Sequence, residues 1–89
     1  MKPFPLTVSS PEGNLFLGEC VKLDVRGVEG SLAIMAGHIP FVTALVSGPC
    51  TIYLEDGTKK EADLEGGVLS VDTDGAILLS GSFRFCKEN

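Results

Sequence analysis

His38 is the one histidine in the chain, and Cys20, Cys50 and Cys86 are its cysteines. These are the side chains with the widest reactive repertoire, so any catalytic or metal chemistry would have to be built around them. A histidine base needs a nucleophile and an orienting acid in reach, and no nucleophile elbow or comparable signature accompanies His38. The cysteines are widely spaced, with no CxxC pair and no second histidine, so no zinc site is predicted and the thiols read as free. There is no GxxxxGK[ST] loop, and the "EGG" turn at Glu65–Gly67 is too short and too acidic to cradle a phosphate. Glu61, Asp63 and Glu65 alternate along one segment and read as the solvated edge of a strand. His38 itself, between Gly37 and Ile39-Pro40, reads as a turn residue. No catalytic residue, metal ligand or cofactor is assigned. The enzyme alternative, His38 working with a cysteine in a small cupin-like barrel, lacks the second histidine a metal would need.

The elements that would hold these residues are strands. Phe4, Leu6 and Val8 alternate with Pro5, Thr7 and Ser9, and Val21, Leu23 and Val25 alternate with Lys22, Asp24 and Arg26, which is the pattern of half-buried strands. Ile52 and Leu54 continue it among Thr51, Tyr53 and Glu55. Turn clusters recur at short intervals, and Asp56-Gly57 and Asp74-Gly75 each predict a hairpin, because Asp-Gly tolerates the positive φ of a two-residue turn. The expected fold is all-β: a two-layer sandwich or flattened barrel of about eight to ten short strands, in one domain over residues 1–89.

Charge and hydropathy narrow the partners. The 89 residues carry a formal charge of −5 and 44% hydrophobic residues. Such a chain can bury enough surface to fold, and its negative surface repels phosphates, so nucleic acid is not expected as a partner. From Ser31 to Leu54 no charged residue occurs, yet Gly37–Pro40 and Ser47–Pro49 interrupt that run twice. A continuous membrane-spanning helix is therefore excluded there. The N-terminal "MKPFPLTV" lacks the apolar core of a signal peptide, so a soluble chain is expected. One segment departs from the alternating pattern. After Pro40, Phe41, Thr43 and Leu45 point one way and Val42, Ala44 and Val46 the other, and both sets are apolar. A sandwich has one interior, so the second face must be capped by the chain itself or meet a partner.

The sequence "LTVSSPEGNLFLGECVKLDVRGVEGSLAIMAGHIPFVTALVSG", the Asp56-Gly57 turn, the Ser47-Gly48-Pro49 corner and "LEGGVLSVDTDGAILLS" together resemble the N-terminal β-sandwich domain of the epsilon subunit of F-type ATP synthases. The likeness runs from about Leu6 to Ser80 and is carried most specifically by "GHIP" followed by "GGVLSV". It implies a non-catalytic central-stalk component that clamps the gamma subunit to the c-ring, so that ion-driven rotation reaches the catalytic head. By match to the family's positions, Ser10, Ile39, Val42 and Thr43 are expected at the gamma subunit, and Glu29, Gly30, Ser31 and His38 at the c-ring. The place implied is peripheral, at the cytoplasmic face of the cell membrane, without insertion into the bilayer. The tail "SGSFRFCKEN" differs from the family's usual lead into two C-terminal helices. The resemblance therefore implies no helical inhibitory arm, and no small-molecule ligand of the ATP type that those helices hold. Ser31, Ala33 and Ala36 also depart from the family pattern. A stand-alone interaction module diverged from the epsilon subunit is the alternative, distinguished by whether beta and gamma subunit genes lie beside this one.

Overall fold

The computed structural model describes residues 2–86. They form ten strands: β1 (Phe4–Ser10), β2 (Gly13–Cys20), β3 (Lys22–Gly27), β4 (Gly30–Ile34), β5 (Phe41–Leu45), β6 (Gly48–Tyr53), β7 (Lys59–Leu64), β8 (Gly67–Asp72), β9 (Gly75–Leu79) and β10 (Phe83–Phe85). Among the described residues there is no helix, and hence none long and apolar enough to cross a membrane. The strands make one continuous sheet in the order β10-β7-β6-β3-β5-β8-β9-β1-β2, with β4 on the other side of β3.

The sheet folds over on itself at a single corner. β3 pairs with β6 from Lys22 to Asp24, but meets β5 only through Gly27 and Leu45. Between those contacts the chain turns at Val46 and Ser47, where the Val46 N–H donates to the Arg26 carbonyl (3.1 Å). A chain that bends and changes layer in this way is how one sheet becomes a sandwich. Layer one is β4-β3-β6-β7-β10, and layer two is β5-β8-β9-β1-β2.

Alternation then fills the interior. Leu6 and Val8 from β1, Leu23 from β3, Ile52 from β6, Leu69 from β8 and Leu78 from β9 are all essentially without solvent exposure. Each such side chain contributes about 1.5–3 kcal/mol on burial, before the entropy of ordering it. Cys20 and Cys50 lie in the same core as free thiols, while Cys86 is exposed. Desolvation lifts the Cys20 thiol from 9.0 to about 11. Burial, with the charge of Asp24 second, lifts Cys50 to about 12. Both are neutral and unreactive at ordinary pH.

Both expected hairpins form, but their turns differ from the expected type. Asp72 pairs with Gly75, so the β8–β9 turn is Thr73-Asp74, and the Asp72 carboxylate accepts the N–H groups of Asp74 (2.8 Å) and Gly75 (3.0 Å). The β6–β7 loop is longer, and there the Asp56 carboxylate accepts the Thr58 N–H at 2.9 Å. In neither does Asp take a positive φ, since only glycines do so among the described residues. The aspartates act as acceptors that close the turn, a role open to Asp in any loop. One further expectation is corrected in part: Glu61 and Asp63 are exposed on the wet face of β7, but β7 is not an edge strand, because β10 pairs with it from Phe83 to Phe85. The tail thus adds a last strand, held by Ser80, whose buried hydroxyl donates to the Gly66 carbonyl at 2.6 Å and accepts the Ser82 N–H at 3.2 Å.

Candidate functional site

β5 leads to the site. Leu45 is buried and Phe41 is packed against the core, whereas Val42, on the opposite side of the strand, is 69% exposed. The chain's own loops do not cover it. Register carries this exposed side across the whole of layer two. Val42 stands beside Ser70, Ser70 beside Ile77, Ile77 beside Thr7, and Thr7 beside Leu17. A second row runs through Ala44, Val68, Leu79 and Ser9. Leu17 is 72% exposed, Leu79 50%, Ile77 45% and Val68 42%. With strands spaced about 4.8 Å apart, the face is roughly 19 Å wide from Val42 to Leu17. No charge interrupts either row; Asp72 and Glu19 stand one row below. An apolar surface of this extent with a polar rim has the character of a docking site.

Four of these side chains, Leu17, Val68, Ile77 and Leu79, were not singled out from the sequence. The signal was there: Ala76-Ile77-Leu78-Leu79 and Leu15-Phe16-Leu17 are apolar on both alternations, as the segment after Pro40 is. Locating them on one surface required the parallel β1–β9 pairing, which no local pattern announces.

The residues expected at partners fall in several places. Ser10 ends β1 one residue past Ser9 of the second row, Ile39 lies in the loop before β5, and Val42 is on the β5 margin of the face. Ile39 is 81% exposed. The Ser10 hydroxyl accepts the Glu12 N–H at 3.2 Å and so shapes the β1–β2 turn. Thr43 points away from Val42, toward the core, and its hydroxyl donates to the Ala44 carbonyl at 3.3 Å. Glu29, Gly30 and Ser31 sit together at the β3–β4 turn. His38 does not join them. It lies beyond the other end of β4, which spans roughly 13 Å, in the loop that leads into β5. Its Nε2–H donates to the Ala33 carbonyl at 3.1 Å and its ring lies 6.1 Å from that of Phe41. Those contacts tie the β4–β5 loop closed, which is the turn role the sequence suggests.

The described residues contain no group of three or more His, Cys, Asp or Glu arranged to hold a metal. Cys86 is the accessible thiol among them. Partial desolvation and the neighbouring Asp63 carboxylate, 3.8 Å away, raise its pKa and so blunt its nucleophilicity. What the site offers is shape and apolar area, not reactivity.

The family profile described as ATP synthase, Delta/Epsilon chain, beta-sandwich domain matches residues 3–84. The chain belongs to this family. Its relatives include an ATP synthase epsilon chain of Chlorobium limicola, 35% identical over 79 residues, covering 89% of this chain and 90% of that one. A sodium ion specific ATP synthase epsilon chain of Acetobacterium woodii is 32% identical over 85 residues, or 96% of this chain and 64% of that one. The fold is also that of a chain in the mitochondrial ATP synthase of Euglena gracilis, solved as an OSCP/F1/c-ring assembly. There the TM-score is 0.87 at 21% identity, covering 92% of this chain and 52% of that one. The family match extends to Arg84, within β10 and beyond the Ser80 limit read from motifs, so the first part of the unusual tail still belongs to the family domain.

Proposed function

We propose that the outer face of layer two seats the gamma subunit and that the β3–β4 turn meets the polar loops of the c-ring. The chain is a non-catalytic rotor-stalk component of an F-type ATP synthase. In this role it clamps gamma to the ring so that rotation is transmitted without slippage, from a peripheral position at the cytoplasmic face of the membrane. The observation that carries the gamma assignment is the uncharged, two-row apolar surface from Val42 to Leu17. Excluding water from two or three of its side chains contributes on the order of 3–6 kcal/mol before the cost of association, a suitable strength for a seat under torque.

Within this reading, Val42, Ile39 and Ser10 contact gamma directly, while Thr43 acts from behind by holding the strand that presents Val42. Glu29, Gly30 and Ser31 face the ring, where the Glu29 carboxylate accepts charge-assisted hydrogen bonds. His38 belongs to the same ring contact only if the free edge of β4 lies lengthwise along the ring. Co-purification of gamma with the Val42→Glu chain tests the seat. A marked loss of gamma is expected, and undiminished recovery would remove the assignment. For the ring, cysteines placed at Glu29 or Ser31 and in the c-ring loops, with the native cysteines replaced, should form a disulfide on oxidation.

A further inference from the structure

Beside the β3–β4 turn, on the outside of layer one, is a groove of about 310 Å³ between β4 and β6, walled by Asp24, Arg26, Ser31, Pro49 and Thr51. Arg26 stands directly across from Ser31 in the β3–β4 ladder. Its stem runs past Gly48, where a β-carbon would lie 3.6 Å from both Cβ and Cδ of Arg26, so the glycine leaves room for it. Its guanidinium is exposed, and among the described residues it makes no ion pair; the one ion pair there joins Lys22 and Asp24 at 3.7 Å. Nor do the hydroxyls of Ser31 and Thr51 make hydrogen bonds within the described chain, and the Asp24 carboxylate in the wall is already engaged by Lys22 and Tyr53, so the groove offers an unpaired cation with two free hydroxyls beside it.

We infer that Arg26 and the adjoining groove receive a carboxylate carried on a loop of the ring. A guanidinium pairs with a carboxylate through two parallel N–H···O bonds, and its planar fork is pre-organised for that geometry. In a chain of net charge −5, an acidic loop is repelled by much of the surface, and among the exposed cations Arg26 is the one that stands next to the β3–β4 turn proposed to meet the ring. The inference rests on the proposed ring contact, since the groove is continuous with Ser31. It goes further by specifying the sign of the partner: this end of the chain presents a cation beside the Glu29 anion, and the loop it meets carries an acid that fits the former.

The test uses the assembled ATP synthase with two readouts, the disulfide from Ser31→Cys to a c-loop cysteine and retention of the chain on washed ring complexes. Arg26→Glu is expected to lower retention by about tenfold or more, and Arg26→Lys to have a smaller effect because charge survives while the fork is lost. Reversing the c-loop carboxylates to lysine one at a time should restore the Arg26→Glu chain at one position. The melting midpoint of each variant separates misfolding from lost contact. If the disulfide forms but Arg26→Glu is retained like the wild type, the carboxylate inference is overturned and the ring contact survives. Absence of the disulfide overturns the ring contact and the inference with it.

Discussion

The two outer faces of this sandwich are built by the same alternation, yet differ in what they place in solvent. Layer one exposes Lys22 beside Tyr53 and Lys59, Asp24 beside Thr51 and Glu61, and Asp63 beside Arg84. Lys22 pairs with Asp24, Tyr53 donates to Asp24 at 2.9 Å, and the ammonium groups of Lys22 and Lys59 lie 5.1 and 5.8 Å from the Tyr53 ring centre. Every exposed row there contains a charge and suits water. Layer two exposes Val42, Val68, Ile77, Leu79 and Leu17 instead, with small hydroxyl side chains between them. Both layers bury their inner faces equally well, so folding alone does not require the outer one of layer two to be apolar. The asymmetry is what the proposed gamma seat requires.

The largest effect should come from charging the centre of the apolar face. Ile77→Asp is expected to weaken gamma binding by about 2–3 kcal/mol, of the order of a hundredfold, as measured by calorimetric titration. Thr51→Asp on layer one should change it little. Equal effects from the two would erase the contrast between the faces. Next is a property of the core the layers share. The Cys20 and Cys50 thiols are raised in the fold, to about 11 and about 12, so the native state holds their protons more tightly than the unfolded chain. The stability they support is intact below pH 9 and is lost as pH climbs from about 9 toward 11–12. Thermal melts across that range should show a falling midpoint, with a shallower fall for Cys50→Ala. The smallest effect belongs to the solvated network. Tyr53→Phe removes a part-buried hydrogen bond on the outer face and should leave the melting midpoint within about 2–3 °C, as expected of polar contacts near the surface.

Much of this was readable from residue order. The alternation around Leu23 and Val25 identified a half-buried strand because charged residues separate the apolar ones. The doubly apolar segment after Pro40 announced a surface with two apolar sides. The corner at Val46–Ser47 was marked by the Ser-Gly-Pro that follows. Other features depended on pairings distant in sequence. β10 has only three residues, and its stability comes from β7 and from the hydrogen bonds of Ser80, so no periodicity reveals it. Ile77 and Leu79 look like core in a run of four apolar residues until the parallel contact of β9 with β1 assigns Ala76 and Leu78 inward. Gly66-Gly67 was recognisable as a motif, but its reason is tertiary: a side chain at Gly67 would collide with the Leu79 carbonyl as β8 and β9 close up, and its φ of +153° disfavours one besides. Glu29 and His38, both expected at the c-ring, are parted by the length of β4, which sequence distance alone conceals.

The central claim, that a rotor neighbour covers layer two and leaves most of layer one wet, is open to a direct accessibility measurement. In a chain with Cys86→Ser, leaving only the buried Cys20 and Cys50, Ile77→Cys and Lys59→Cys can each be labelled with a maleimide before and after assembly into ATP synthase. Both should label readily in the free chain, and in the assembled enzyme the thiol at 77 should be shielded while the one at 59, on the outer face of layer one and away from the Arg26 groove, stays reactive. Undiminished labelling at 77 in the intact complex would contradict the account.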